Sequence, residues 1–246
     1  MSVNLNLIGV IAAAAPAKTG AAGPLSYEQV VGAVEKNLNL DEFASELKIE
    51  FSRSGKEPKS WTAKLLSWID GGTSWKVAEF FGQRENGTIL RRKGEQFSQR
   101  NGSNPYISLG EEAAKAGVFG TDYSFKDVLE LTKLSTDYQR LVFEETNLNG
   151  RECFHLIMQA RPGKTPFYHK REMWVERQTM VPIKMDVFGS TGQKLKTIEV
   201  VRSQPFQGIN YPVEIVVKSA VRDTETKIFV PNLKTLERGK TFKYRD

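Results

Sequence analysis

The chain has 246 residues, 39% of them hydrophobic and 26% charged, which is the balance of a globular protein with one sizeable core. A net charge of +6 arises from 35 bases against 29 acids, a mixed surface rather than a nucleic-acid-binding tract. One cysteine excludes an intramolecular disulfide, and no later run approaches the ~18–20 apolar residues that cross a bilayer as a helix.

Leu5 to Ala15 is a short apolar stretch, and Ala15-Pro16-Ala17 has the small-x-small pattern of a signal-peptidase site. No Lys or Arg precedes Lys18, so residues 1–24 read as a leader or export-signal remnant and residues 25–246 as one domain. Ser26 and Gln29 then stand at capping-box spacing, followed by Val30, Val31, Val34 and Leu38 along one helical face.

From Phe43 the period changes to two. Leu47, Ile49 and Phe51 alternate with Lys48 and Glu50, the pattern of a half-buried strand. Strands are predicted at 61–69, 75–81 and 88–96, with turn signals at Asp70-Gly71-Gly72 and Glu85-Asn86-Gly87. Within the third, Arg91-Arg92-Lys93 reads as a solvated strand or turn. Residues 97–120 read as a long excursion rich in Gly, Asn and Ser. Ser124 is placed to cap a helix reaching about Lys133, with Asp127 near its positive end. A second strand series occupies 139–146, 151–161, 168–177, 181–188, 194–202, 211–221 and 227–231. Together these segments read as an antiparallel meander.

Catalytic patterns are weak. His155 and His169 lack a third ligand at metal-site spacing, and Cys153 two residues from His155 lacks an orienting partner. No glycine-rich phosphate loop joins a strand to a helix, and Asp122 fits a turn residue bonding nearby backbone N–H groups. The expectation is no enzyme, no metal and no cofactor. What stands out is a surplus of large apolar side chains, Trp61 and Phe154 among them. Periodicity leaves open whether they fill a core or line a ligand cavity.

Several segments carry a resemblance. They are Gly120-Thr121-Asp122 with the aromatic-Ser-aromatic-x-Asp run to Asp127, Gly150 to Leu156, Phe167 to Glu176, Val181 to Phe188, Gly192 to Thr197 and Tyr211 to Ile215. In this order and spacing they resemble the outer-membrane lipoprotein-sorting family, LolA-like proteins, over roughly residues 80–240 and more loosely over 26–80. The ending Lys240 to Asp246 only partly echoes the family's. The resemblance implies a mainly β fold with two or more helices: a curved antiparallel sheet forming an unclosed β-barrel, its concave side covered by helices. It implies a periplasmic carrier that sequesters the acyl chains of lipoprotein or free lipid in a hydrophobic cavity. Cavity candidates are Val30, Val34, Leu38, Leu47, Ile49, Phe51, Trp61 and Phe154. Implied partners are a lipid or lipid-modified protein, an inner-membrane transporter and an outer-membrane acceptor, and no nucleic acid. The alternative is a non-carrier envelope module that uses the same fold to bind or sense a protein.

Overall fold

The structure is a computed structural model and describes residues 24–82, 85–129, 132–237, 239 and 241–245. Residues 1–23 of the expected leader fall outside these residues. Helix α1 (Tyr27–Leu38) comes first, followed by β1 (Phe43–Arg53), β2 (Lys59–Asp70), β3 (Thr73–Phe81), β4 (Thr88–Lys93), β5 (Gln96–Asn101) and β6 (Ile107–Ser108). Three short helices follow: α2 (Glu111–Lys115), α3 (Phe125–Leu129) and α4 (Leu134–Asp137). The remainder is β7 (Tyr138–Leu148), β8 (Arg151–Ala160), β9 (Lys170–Glu176), β10 (Pro182–Phe188), β11 (Lys194–Phe206), β12 (Ile209–Ser219), β13 (Thr224–Phe229) and β14 (Lys234–Thr235).

The strands form one antiparallel sheet in the order β6-β5-β4-β3-β2-β1-β13-β12-β11-β10-β9-β8-β7. The chain therefore enters at the middle and runs one meander outward to β6. It then crosses through α2–α4 and runs a second meander back from β7 to β13, which pairs with β1. β6 and β7, successive in sequence, stand at opposite ends of this order, so the curved sheet is not closed. β14 pairs with the first residues of β1.

Among the described residues there are fourteen strands, more than the segments read from the sequence. The additions are β5 and the two-residue strands β6 and β14. The predicted 88–96 strand turns at Gly94-Glu95 and returns as β5, so part of the supposed excursion is sheet. β11 also runs four residues past its predicted end and β12 begins two residues early, because Gln207 takes a positive φ of 50° and makes a tight turn with Gly208. Gln is a weak turn signal, and Pro205 inside β11 argued against a strand there. By contrast, the β2–β3 turn forms where expected, with Gly71 and Gly72 both at positive φ as a type I′ turn requires.

Ser26 caps α1 as its spacing indicates: its hydroxyl accepts from Gln29 N–H while the Gln29 side chain accepts from Ser26 N–H. Val30, Val31 and Val34 are buried in the larger core cluster, and α1 packs against β12. Asn37, also buried, fastens the end of this helix by donating to the Thr179 and Met180 carbonyls and accepting from Asn210 N–H. On β1, Leu47 and Ile49 enter the same cluster while Lys48 is exposed, as the alternation predicts. We call this the inner face of the sheet.

The outer face has its own small core. Leu66, Trp68, Trp75, Val77 and Ile89 are covered by Leu236 and Tyr244 from the C-terminal segment, and the two indoles stack at 5.5 Å. These tryptophans thus contribute nothing to the interior, although they count toward the aromatic surplus.

Candidate functional site

The segment from Gly117 to Leu129 builds one wall of the site. Gly117 and Ser124 form an isolated bridge, and Val118 N–H donates to the Tyr123 carbonyl, closing a compact loop. Only glycine fits at 117, because a Cβ there would lie 1.8 Å from the Thr121 carbonyl oxygen. Phe119 is held at a left-handed φ of 50°, its ring 4.8 Å from Phe80 and 5.6 Å from Trp61. Ser124 begins α3 through reciprocal bonds: its hydroxyl accepts from Asp127 N–H, and Asp127 accepts from Ser124 N–H. The helix is described over Phe125–Leu129, and Thr132 and Lys133 lie outside it, so it does not reach Lys133 as the sequence pattern predicts.

Asp127 is the electrostatic centre of this wall. Oδ2 accepts from Lys196 Nζ at 2.5 Å and from the Ser124 hydroxyl at 2.8 Å, and Oδ1 accepts from the Tyr168 hydroxyl at 2.6 Å. Burial by itself raises the carboxyl, but the Lys196 charge and these hydrogen bonds outweigh it and hold Asp127 below its ordinary pKa. Burial, with the Asp127 charge beside it, pushes the Tyr168 phenol well above its usual value. Lys196 also donates to the Asp122 carbonyl at 2.8 Å, so one ammonium from β11 fastens both the turn and the helix.

Asp122 has a structural role, but through distant partners rather than the local turn bonds its position suggests. Its carboxylate accepts from Arg222 Nη2 at 2.6 Å and from the hydroxyls of Thr224 and Thr226, while Thr226 accepts from Asp122 N–H. The signature Gly120-Thr121-Asp122 therefore ties the crossing segment to β13, next to the central seam of the sheet.

Arg92 reverses the expectation of a solvated basic run. It is 1% exposed and donates to the Leu129 carbonyl at 2.5 Å, to the Gly94 carbonyl at 2.8 Å and to the Ser74 hydroxyl at 3.0 Å. A helix end leaves carbonyls unpaired, and a guanidinium reaching the last turn of α3 satisfies one of them.

Behind this wall lies an interior cavity of about 130 Å³. Leu38, Leu47, Leu65, Ile198, Ile215, Ile228 and Val230 give it an apolar surface, and Lys76, Asp127, Tyr168, Arg171 and Tyr211 supply polar groups. A larger cleft of about 780 Å³ lies over β4 and β5, with walls from α2 and from residues 164–167. Lys126 and Arg171 line both spaces, so the two adjoin there. Lys126 pairs with Glu111 at 2.8 Å, and Arg171 donates to the Tyr138 hydroxyl at 3.0 Å.

Of the residues singled out from sequence, Leu38 and Leu47 line this cavity. Val30, Val34, Ile49, Trp61 and Phe154 belong to the surrounding packed cluster, and Phe51 is a half-buried side chain against its edge. Missed were Lys76, Tyr168, Arg171 and Lys196. The parity of Lys76 with Ala78 and Phe80 along β3 was an available signal, since all three must share a face.

The histidines stand elsewhere. On the opposite face of β8, His155 lies between Glu144 and Glu172, at 2.9 and 3.0 Å, with its ring on Trp174. Cys153 is buried, and burial raises its thiol pKa. No group of three or more His, Cys, Asp or Glu among the described residues could hold a metal ion. None of the described helices is long and apolar enough to cross a membrane.

A family model described as that of an uncharacterized "-like" protein matches residues 83–240, well over half of the chain. The fold is shared with a DUF1329 family protein from Desulfovibrio piger: TM-score 0.71, 18% identity, covering 85% of this chain and 91% of that one. It is shared equally with a LolA superfamily protein from Nitrosomonas europaea, at TM-score 0.71 and 15% identity over 87% and 95% of the two chains. An outer membrane lipoprotein-sorting protein domain from Vibrio parahaemolyticus gives TM-score 0.74 and 13% identity, again over 87% and 95%. This chain belongs to the family whose model it matches and has the LolA-like fold. No curated protein matches its sequence. For this LolA-like chain, such identities establish a common fold; the site itself must be argued from its own residues.

Proposed function

We propose that this LolA-like protein is a periplasmic carrier or binding protein that shelters an acyl chain inside its open barrel, with α1 and the 117–129 segment over the concave side as a cover. The reading makes it a non-catalytic binder of a lipid or lipid-modified protein, handed over between a membrane donor and an acceptor. The observation that carries it is the apolar cavity among Leu38, Leu47, Ile198 and Ile228, adjoining a cleft at Lys126 and Arg171.

Size sets the mechanism. Ligand sites usually measure ~300–1,000 Å³, so a cavity of about 130 Å³ accepts a chain only after the cover moves. A sixteen-carbon chain represents roughly 12 kcal/mol of gross transfer at ~0.8 kcal/mol per methylene. Opening the cover offsets part of that gain, which a carrier needs in order to release its load. Titration with a fluorescent acyl probe is expected to saturate at one or a few sites, and native mass spectrometry to find co-purified lipid. Non-saturable probe uptake together with a lipid-free protein would overturn the reading.

One observation favours the alternative of a protein-binding envelope module. β7 is an 11-residue edge strand that pairs with β8 on one side only, and Leu141 on it is 51% exposed. An unpaired edge of this length is a template for strand addition. A lipid-free protein that captures an extended peptide along β7 would support it.

A further inference from the structure

Lys76 sits on β3 with Ala78 and Phe80, on the inner face, and lines the interior cavity beside Leu47, Leu65 and Ile228. Its side chain is nine-tenths buried, at 9% exposure. Among the described residues no hydrogen bond, ion pair or ring contact engages its ammonium. The other cations of these walls are engaged: Lys126 by Glu111, Arg171 by Tyr138 and Arg92 by carbonyls at the end of α3 and in the β4–β5 turn.

The surroundings make this lysine costly. Burial disfavours its charge, the Arg92 guanidinium opposite it on β4 acts in the same direction, and Asp41 opposes them. Asp41 does not reach it, because the carboxylate accepts from the hydroxyls of Ser67 and Ser74 instead. The balance lowers the Lys76 pKa to about 8, which still leaves most of the ammonium charged near pH 7. An unpaired buried charge costs several kcal/mol, and an anion brought beside it would relieve that cost. A packed core has no use for such a residue at this place; an apolar cavity that receives an anion does.

We propose that the ligand is a fatty acid or similar acyl carboxylate that enters head first, with Lys76 as its counter-ion and the chain against the apolar wall. This deepens the acyl-binding reading above and rests on it. Size narrows the class: about 130 Å³ is the share of roughly four water molecules at ~30 Å³ each, enough for a carboxylate and its first methylenes. A chain without charge would leave the ammonium as costly as before, so the site discriminates between an acyl carboxylate and its neutral counterpart.

The test is displacement of a neutral fluorescent probe, N-phenyl-1-naphthylamine, at pH 7 by dodecanoate and by 1-dodecanol. These share a twelve-carbon chain and differ in the head. Dodecanoate is expected to displace at about tenfold lower concentration or better, the equivalent of ~1.4 kcal/mol. Lys76→Met should abolish that preference without weakening dodecanol, and Lys76→Arg should retain it. Equal displacement of the probe from the unaltered protein would overturn the proposal while leaving acyl binding intact. Displacement by neither would overturn both. A preference that survives in Lys76→Met would show that another cation receives the head. If Lys76→Met fails to fold, the two ligands on the unaltered protein and on Lys76→Arg still decide.

Discussion

Lys76 and Arg92 face each other directly across β3 and β4, both buried on the inner face, yet only Arg92 has its hydrogen bonds made by the protein. Two cations in register repel, so the pair persists because the α3 carbonyl end and the β4–β5 turn hold one member. The other is left to pay for its own burial.

That asymmetry predicts a pH dependence. An ordinary unfolded lysine titrates near 10.5 and native Lys76 at about 8. Below pH 8 both states hold the proton and the burial cost is fully present. Between about 8 and 10.5 the unfolded chain binds more protons, so the Lys76 contribution to stability rises with pH. Lys76→Met is expected to raise unfolding free energy at pH 7 by up to roughly 3 kcal/mol, with the gain shrinking toward pH 10. Urea midpoints of both proteins at pH 7 and 9.5 check this, since buried Cys153 and tyrosines titrate alike in each.

Asp127 obeys the opposite sign. Its native carboxyl lies below the ordinary value, so its contribution is present above the unfolded pKa and is lost as pH falls through the native one. Asp127→Asn strands Lys196 and is expected to cost ~3–5 kcal/mol at pH 7. Because Lys196→Met would strand the same pair from the other side, the double variant should cost clearly less than the two single changes summed. Additivity in a thermal or denaturant cycle would show that the pair does not act as a unit.

Two glycines give a paired prediction. Gly117→Ala drives a methyl into the Thr121 carbonyl and should cost ~1–3 kcal/mol or more. Gly32 is exposed in the interior of α1, and a Cβ added there would meet nothing within 4 Å, so Gly32→Ala should gain up to ~1 kcal/mol. Melting midpoints that move in the same direction for both would contradict the loop geometry.

On β1 the two faces should respond differently. Ile49, fully buried, is expected to cost ~2–5 kcal/mol on change to Ala. Lys48, exposed, paired with neighbouring Glu50 and 5.8 Å from the Phe229 ring centre, should stay within ~1 kcal/mol on the same change. Phe51 lies between these limits, being half-buried at the core edge. A Phe51→Ala variant that keeps its midpoint but binds an acyl probe more weakly would place that edge in the ligand path.

Local order was legible in the residues themselves. The Ser26 capping box, the Leu47–Ile49 face, the Gly71-Gly72 turn and the cap of α3 at Ser124 each depend on contacts within a few positions or one hairpin. The spacing of motifs from Gly120 to Ile215 was enough to indicate the LolA-like family. Chain order could not decide which charges are buried, because burial is imposed by elements far away in sequence. Arg92 became interior when the end of α3 offered it a carbonyl, and Asp122 found Arg222 and Thr224 about a hundred residues on. Trp68 and Trp75 went to the outer face because the C-terminal segment folds over them. The parity of Lys76 with Ala78 and Phe80 assigns it a face, but its burial is decided only when two meanders joined at β1 and β13 enclose that face and make its charge a demand for a partner.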